Sequence, residues 1–249
     1  MDINKVLNKI QELEEKTAQR NLQWKPTVGQ HQVRIVPYKH DRDNPFQELY
    51  FHYNLAKKTI LSPVTFGQPD PVQEFSNKLK TTGDKEDYKS GRALEPKKRT
   101  FVPILVRGDE ASGVKFWGIG QGVYMKLLKT IADPDYGDIT DAVKGRDVVV
   151  EYEAAKGPGA YPTTEIRVKP NPTALTSDPS VIALLEKTPE VTSLWEAPTY
   201  EELEGYLQAY IEGPSEEETT SEATTTNTSA PAGKVDDAMA SFDALFGQK

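Results

Sequence analysis

The residues Glu95–Val106, "EPKKRTFVPILV", with those that follow to Ile119, "RGDEASGVKFWGI", decide the fold. Thr100–Arg107 and Val114–Ile119 are rich in β-branched and aromatic residues, and the turn Gly108–Gly113 separates them, so they read as a β-hairpin. Side chains alternate along a strand. Phe101, Pro103, Leu105 and Arg107 therefore share one face of the first strand; Val102, Ile104 and Val106 share the other. In the second strand Lys115, Trp117 and Ile119 lie together, opposite Val114 and Phe116. The expectation is one apolar face and one face offering Phe101, Arg107, Lys115 and Trp117. Two uses of that second face are open. Its cations can track phosphates while its aromatics stack on bases of any identity. Alternatively, Trp117 packs beneath a loop and the cations keep an edge strand soluble.

Further strands lie on both sides of the hairpin. "HQVRIVP" (31–37), "ELYFHYNL" (48–55), "RDVVVEYEA" (146–154) and "TTEIRVKP" (163–170) are β-rich and bounded by polar or Gly/Pro turns. Helical signals interrupt them. Ile3, Val6, Leu7, Ile10 and Leu13 recur at helical spacing over residues 1–21, with Asp2 as N-cap. Residues 62–99 read as an irregular excursion with one short helix over Val72–Lys80. Another helix is expected over Val123–Ile131. Asp178-Pro179 opens a third, and the capping box Thr199-Tyr-Glu-Glu202 opens a last helix to about Ile211. The fold class is mainly β with helices (α+β): a partly open, OB-fold-like β-barrel with appended helices. Its core is expected over 22–213, with an acidic tail over 214–249. "SEEETTSEATTTNTSAPAG" contains no aliphatic residue larger than Ala, so the tail is expected to be disordered.

The formal net charge of -8 hides an asymmetry. Residues 53–129 hold 14 Lys and Arg against 8 Asp and Glu, a net of +6. Residues 130–213 hold 6 against 16, and residues 214–249 hold 2 against 7. An acidic chain with a basic middle directs an anionic ligand to that middle. Cysteine is absent, which removes disulfides and thiolate metal sites. The three histidines, His31, His40 and His52, are scattered, and no metal or other cofactor is expected. No apolar run reaches membrane-spanning length, and the N-terminus has no secretory pattern.

Basic and aromatic residues interleave elsewhere in the middle. Tyr50 and Tyr53 precede Lys57 and Lys58; Tyr88 and Lys89 stand near Arg92; Lys156 and Tyr161 flank the tip of "AKGPGAYP". With Lys97, Lys98 and Arg99 they outline a basic groove. Each tyrosine can instead be ordinary half-buried packing. The tail ends in "KVDDAMASFDALFGQK", where Val235, Met239, Phe242, Leu245 and Phe246 share one helical face. That pattern reads as a hook for a partner protein. Enzyme signals are weak. Gly118–Gly122 lacks phosphate-loop spacing, and Asp133–Asp138 is a poor calcium loop, with Lys144 at the twelfth position. No Ser/His/Asp grouping stands out, so an enzyme is not expected.

The chain resembles the single-stranded DNA-binding, or helix-destabilising, proteins of T-even-like bacteriophages. The matching segments are "LQWKP…GQHQVRIVP", "NPFQELYFHY", "SPVTFGQPDPVQEF", "LEPKKRTFVPILV", "GVKFWGIG" and "GRDVVVEYEAAKGPGAYPTTEIRV", over about residues 22–170. The resemblance implies a non-enzymatic protein that coats single-stranded DNA without sequence preference. It implies work in phage replication, recombination and repair in the host cytoplasm, with replication and recombination proteins as partners of the tail. It puts Lys97, Lys98, Arg99, Thr100 and Phe101 at the mouth of a strand lining the DNA cleft, with Trp117, Tyr161 and Tyr88 as cleft aromatics. That family binds structural zinc through cysteines and a histidine in the segment matching Ser62–Phe75, and those ligands are missing here. The family's N-terminal basic motif for cooperative binding is also missing, so self-association through residues 1–21 is an open expectation. Two other readings share much of this pattern: a protein–protein module of a virion or replisome, and an RNA-binding regulator.

Overall fold

The computed structural model describes residues 3, 5–10, 21–53, 55, 58–212 and 242. The chain is α+β. Along the described residues the strands are β1 (Gln23–Trp24), β2 (Gly29–Ile35), β3 (Gln47–His52) and β4 (Ile60–Leu61), then β5 (Lys97–Val106), β6 (Lys115–Ile119), β7 (Asp147–Glu153) and β8 (Thr163–Val168). The helices are α1 (Pro71–Thr81) and α2 (Lys85–Leu94) before β5, α3 (Gln121–Ala132) after β6, then α4 (Pro179–Glu186) and α5 (Tyr200–Glu212). The expected core over 22–213 divides into two interleaved compact units. Unit 1 is Met1–Glu48 with Arg99–Leu194, and unit 2 is Leu49–Lys98 with Trp195–Lys249. The division falls within β3 and within β5.

Unit 1 holds a mixed sheet along an open path, β1-β6-β5-β2-β7-β8, whose only parallel pair is β1 with β6. One sheet face carries Val33, Ile35, Val102, Ile104, Val148, Val150, Ile166 and Val168, and Leu127 of α3 packs with them. β5 is apolar on its other face too, where Leu105 joins Val36, Val114, Leu175 and Val181 of α4. A strand buried on both faces shows no clean alternation of apolar and polar residues.

The hairpin forms, but its register corrects the expected faces. Val102 stands opposite Trp117 and Ile104 opposite Lys115, while Phe101 faces Gly118 and Pro103 faces Phe116. Directly opposed residues share a face. Trp117 and Lys115 therefore belong with Val102 and Ile104, not with Phe101 and Arg107. A shift of one residue in pairing exchanges every side chain between faces, and the connection through Gly108 (φ 90°) and Gly113 (φ 75°) sets that parity.

Unit 2 contains the β3–β4 pair and the helices α1, α2 and α5. Asp70 caps α1, its Oδ1 accepting from the amides of Val72 (2.9 Å) and Gln73 (3.1 Å), with Pro71 at the first turn. The segment expected to be irregular after α1 forms α2 instead, capped by Asp84. Gly91 permits the close packing of the two helices: a Cβ there would lie 2.7 Å from the Ser76 carbonyl oxygen. The Thr199 capping box forms as expected, the Thr199 amide donating to Glu202 Oε2 (2.8 Å) and the Glu202 amide to Thr199 Oγ1 (3.2 Å). Val72, Phe75 and Leu79 of α1 pack with Leu203, Leu207 and Ile211 of α5.

At the N-terminus, residues 5–10 are helical and their stripe faces solvent, with Ile3 73% and Leu7 56% exposed. Of the tail expected over 214–249, only Phe242 lies within the described residues.

Candidate functional site

The basic run is part of β5 itself, and Lys97, Lys98 and Arg99 are all exposed. In unit 2, Glu95 gathers the cations around the strand's start. Its carboxylate lies 3.1 Å from Lys80, 3.1 Å from Arg92 and 3.7 Å from Lys97. Burial pushes this carboxyl up, but Lys80, Arg92 and Lys97 outweigh it and hold the group below the ordinary glutamate value. Three cations on one carboxylate leave the corner positive. Lys97 also donates to the Arg92 carbonyl oxygen (2.7 Å), which places its ammonium against the end of α2. Tyr88, one helical turn before Arg92, is 51% exposed. Tyr53, at the end of the β3 segment, is 46% exposed and lies near Phe51. Lys58 is exposed but engaged, donating to the Tyr206 hydroxyl (2.9 Å) with its ammonium over that ring. Lys57 lies outside the described residues.

In unit 1, Arg99 donates to the Gly118 carbonyl oxygen (2.7 Å) across the hairpin. Gly118 is needed for this arrangement, since a Cβ there would sit 3.0 Å from the Phe101 ring and 3.4 Å from Arg99 Nε. Tyr161, in the loop between β7 and β8, is 88% exposed. An aromatic ring held in water loses the gain of burial and offers both faces to a stacking ligand. Lys156 in the same loop pairs with Glu153 (2.7 Å), which raises its pKa.

Five expected contact residues are corrected. Trp117 is 3% exposed, buried in the sheet core with an edge-to-face contact to Trp24 at 5.5 Å, because the register turns it inward. Phe101 is 8% exposed beside Gly118 and presents no open ring face; Thr100 is likewise buried. Arg107 is spent inside the fold. Its guanidinium donates to Asp147 Oδ1 (2.8 and 3.1 Å) and to the Leu175 (2.7 Å) and Ala174 (3.2 Å) carbonyl oxygens. Lys115 is paired with Asp109 Oδ2 at 3.0 Å.

Two groupings escaped the sequence reading. Lys126, Lys129 and Arg167 line an open cleft with Thr130, Tyr136 and Ile166 in unit 1. These cations lie on α3 and β8, far apart in sequence, and only the pairing of β8 at the sheet edge brings them together. The second grouping is buried. In unit 2, Asp70 Oδ2 accepts from Ser62 Oγ (2.5 Å) and from His52 Nε2 (2.9 Å), while His52 Nδ1 lies 3.1 Å from the Leu94 carbonyl oxygen. Burial pushes the Asp70 carboxyl up, but His52 and Ser62 more than offset it and hold the pKa below the aspartate norm. Ser62 bonds to the carboxylate rather than to the imidazole, so the trio braces a segment rather than forming a serine–histidine pair.

This trio also bears on the zinc of the resembling family. Both nitrogens of His52 are engaged and the chain has no cysteine, so the residues do not fit a zinc site. Among the described residues no group of three His, Cys, Asp or Glu could hold a metal ion. No helix among them is long and apolar enough to cross a membrane.

No family model matches the chain, and no curated protein matches it.

Proposed function

We propose that the protein binds single-stranded DNA with little sequence preference, through the basic corner at the start of β5. The observation that carries this reading is the exposed run Lys97-Lys98-Arg99, with Arg92 and Lys80 gathered beside it by Glu95. The cations follow phosphates, and the exposed rings of Tyr53 and Tyr88 in unit 2 and, taken by itself, of Tyr161 in unit 1 are stacking platforms indifferent to the base. The five antiparallel strands β6-β5-β2-β7-β8, with α3 between β6 and β7, support an OB-fold-like, partly open barrel in unit 1. The resemblance to the helix-destabilising proteins of T-even-like phages supports a role in phage replication, recombination and repair in the host cytoplasm. In this reading the protein is not an enzyme. Its acidic tail recruits replication and recombination proteins, and the exposed stripe Ile3, Val6, Leu7 and Ile10 joins neighbours along the strand.

Fluorescence polarisation with labelled single-stranded DNA, duplex DNA and RNA tests the assignment. Tight binding to single-stranded DNA of any sequence, weakening steeply with salt, is the expected result. No affinity for any oligonucleotide at low salt would overturn the reading in favour of a protein–protein module. Selective capture of RNA would favour the regulator.

A further inference from the structure

We propose that unit 2 carries a groove between α1 and α5 that stores the chain's own C-terminal hook, with Phe242 as the stored side chain. Phe242 is 7% exposed. Its ring meets Phe75 of α1 edge-to-face, centroids 6.4 Å apart and planes at 70°. Val72 and Leu79 of α1 and Leu203, Leu207 and Ile211 of α5 complete the same apolar cluster.

This contact crosses a long stretch of sequence. The last residue of α5 is Glu212, and positions 213–241, dominated by Thr, Ser, Glu and Ala, separate it from Phe242. Nothing in those polar positions demands that the next large aromatic return to the helices. Phe242 nevertheless supplies a ring to their core. Val235, Met239, Leu245 and Phe246 stand at helical spacing from it, with Asp236, Asp237 and Asp243 off that face. The pattern is that of an amphipathic segment laid into a hydrophobic groove.

One side chain cannot fill this groove and a partner's pocket at once. Recruitment through Phe242 therefore requires its release from unit 2, and a partner must compete with a tethered ligand. Tethering supplies an effective concentration on the order of millimolar. Even a weak contact is then occupied most of the time, and a partner's apparent affinity falls by the fraction of hooks released. The store and the DNA-binding reading are independent, since the groove is assayed without nucleic acid.

The test uses the full chain and a fluorescent peptide spanning residues 233–249. The full-length Phe242→Ala chain, its groove vacated, is expected to capture the wild-type peptide at least about tenfold more tightly than the wild-type chain does. A peptide carrying the same Phe242→Ala change is captured by neither. Equal capture by both chains, or none by a folded variant, overturns the proposal. Hydrogen exchange on the unaltered protein is a second readout that needs no variant. Amides around residue 242 should exchange more slowly in the chain than in the free peptide, and identical rates also overturn it. A wild-type dimer that Phe242→Ala converts to monomer would mean that the hook docks on a second copy, which overturns storage within one molecule.

Discussion

Replacing Lys97, Lys98 and Arg99 together with glutamine tests the proposed interface most directly. All three are exposed at the start of β5. The internal bonds of Lys97 and Arg99 leave donors to spare: Lys97 gives one hydrogen bond to the Arg92 carbonyl beside its 3.7 Å pair with Glu95, and Arg99 gives one to the Gly118 carbonyl. An ammonium has three donors and a guanidinium five, so both can hold a phosphate without breaking these contacts. Each phosphate contact on a single strand contributes about 0.7 to the log–log slope of affinity against salt, so losing three lowers it by about 2. Between about 50 and 200 mM salt, the wild-type affinity should then fall about 20-fold further than that of the variant. The assay is a salt titration by fluorescence polarisation on oligo-dT, with thermal melts confirming that the variant folds. Exposed positions of this kind change stability by about 0.5 kcal/mol or less. An unchanged slope in a folded variant would refute the interface, and a fall of only about 0.7 would leave one of the three on a phosphate.

Tyr161→Ala should cost about 1–3 kcal/mol of oligonucleotide binding, read by the same assay, with an unchanged salt slope. Trp117 should not respond to DNA: a Trp117→Phe chain is expected to keep whatever ligand-induced fluorescence change the wild type shows, and loss of that change would put the indole at the ligand. Arg107→Ala should leave the salt slope alone and destabilise unit 1 by about 1.5–3 kcal/mol in urea melts, because it removes charge-assisted bonds to Asp147, which keeps only Arg34 and Gln32. Asp70→Asn should destabilise unit 2 above about pH 5 by weakening the bonds from His52 and Ser62. Asp70 has a folded pKa below its unfolded value of about 4. Its stabilisation is therefore complete above that value and is lost as pH falls through the folded one. The gap between wild type and Asp70→Asn in urea melts should close in the same direction, and a gap independent of pH would contradict the network.

Local signals were legible where one residue type has one cause. Asp178-Pro179 and Thr199 with Glu202 mark helix starts in sequence and cap helices in the structure. α2 was hidden because its residues are mostly polar and its Gly91 resembles a breaker, yet that glycine serves contact with Ser76, which no local pattern encodes. The hairpin was legible as a hairpin and illegible in register. Both faces of β5 are apolar, so neither alternative for Trp117 violates the hydrophobic pattern, and only the pairing of Val102 with Trp117 decides. The cleft of Lys126, Lys129 and Arg167 depends on β8 lying at the sheet edge, a fact of topology.

The carboxylates divide the cations of the basic middle into two groups. Asp147 is almost fully buried and takes Arg107 together with buried Arg34, whose guanidinium is surrounded by Thr173 and the Asp141 carbonyl. Only 19% of the Arg107 side chain meets water, and Glu110 lies 3.7 Å from it, so the two arginines are matched by two carboxylates within the fold and offer little to a ligand. Glu95 does the opposite with the same chemistry. It sits near the surface, holds Lys80, Arg92 and Lys97 through one carboxylate, and leaves more positive charge than it cancels. A carboxylate at such a corner lowers the repulsion that three clustered cations would otherwise suffer, and it fixes their heads near one another before any anion arrives. "EPKKRTFVPILV" thus opens with the acid that organises its cations, and an acidic chain can present a basic surface because its excess acid lies outside residues 53–129, where 14 Lys and Arg stand against 8 Asp and Glu.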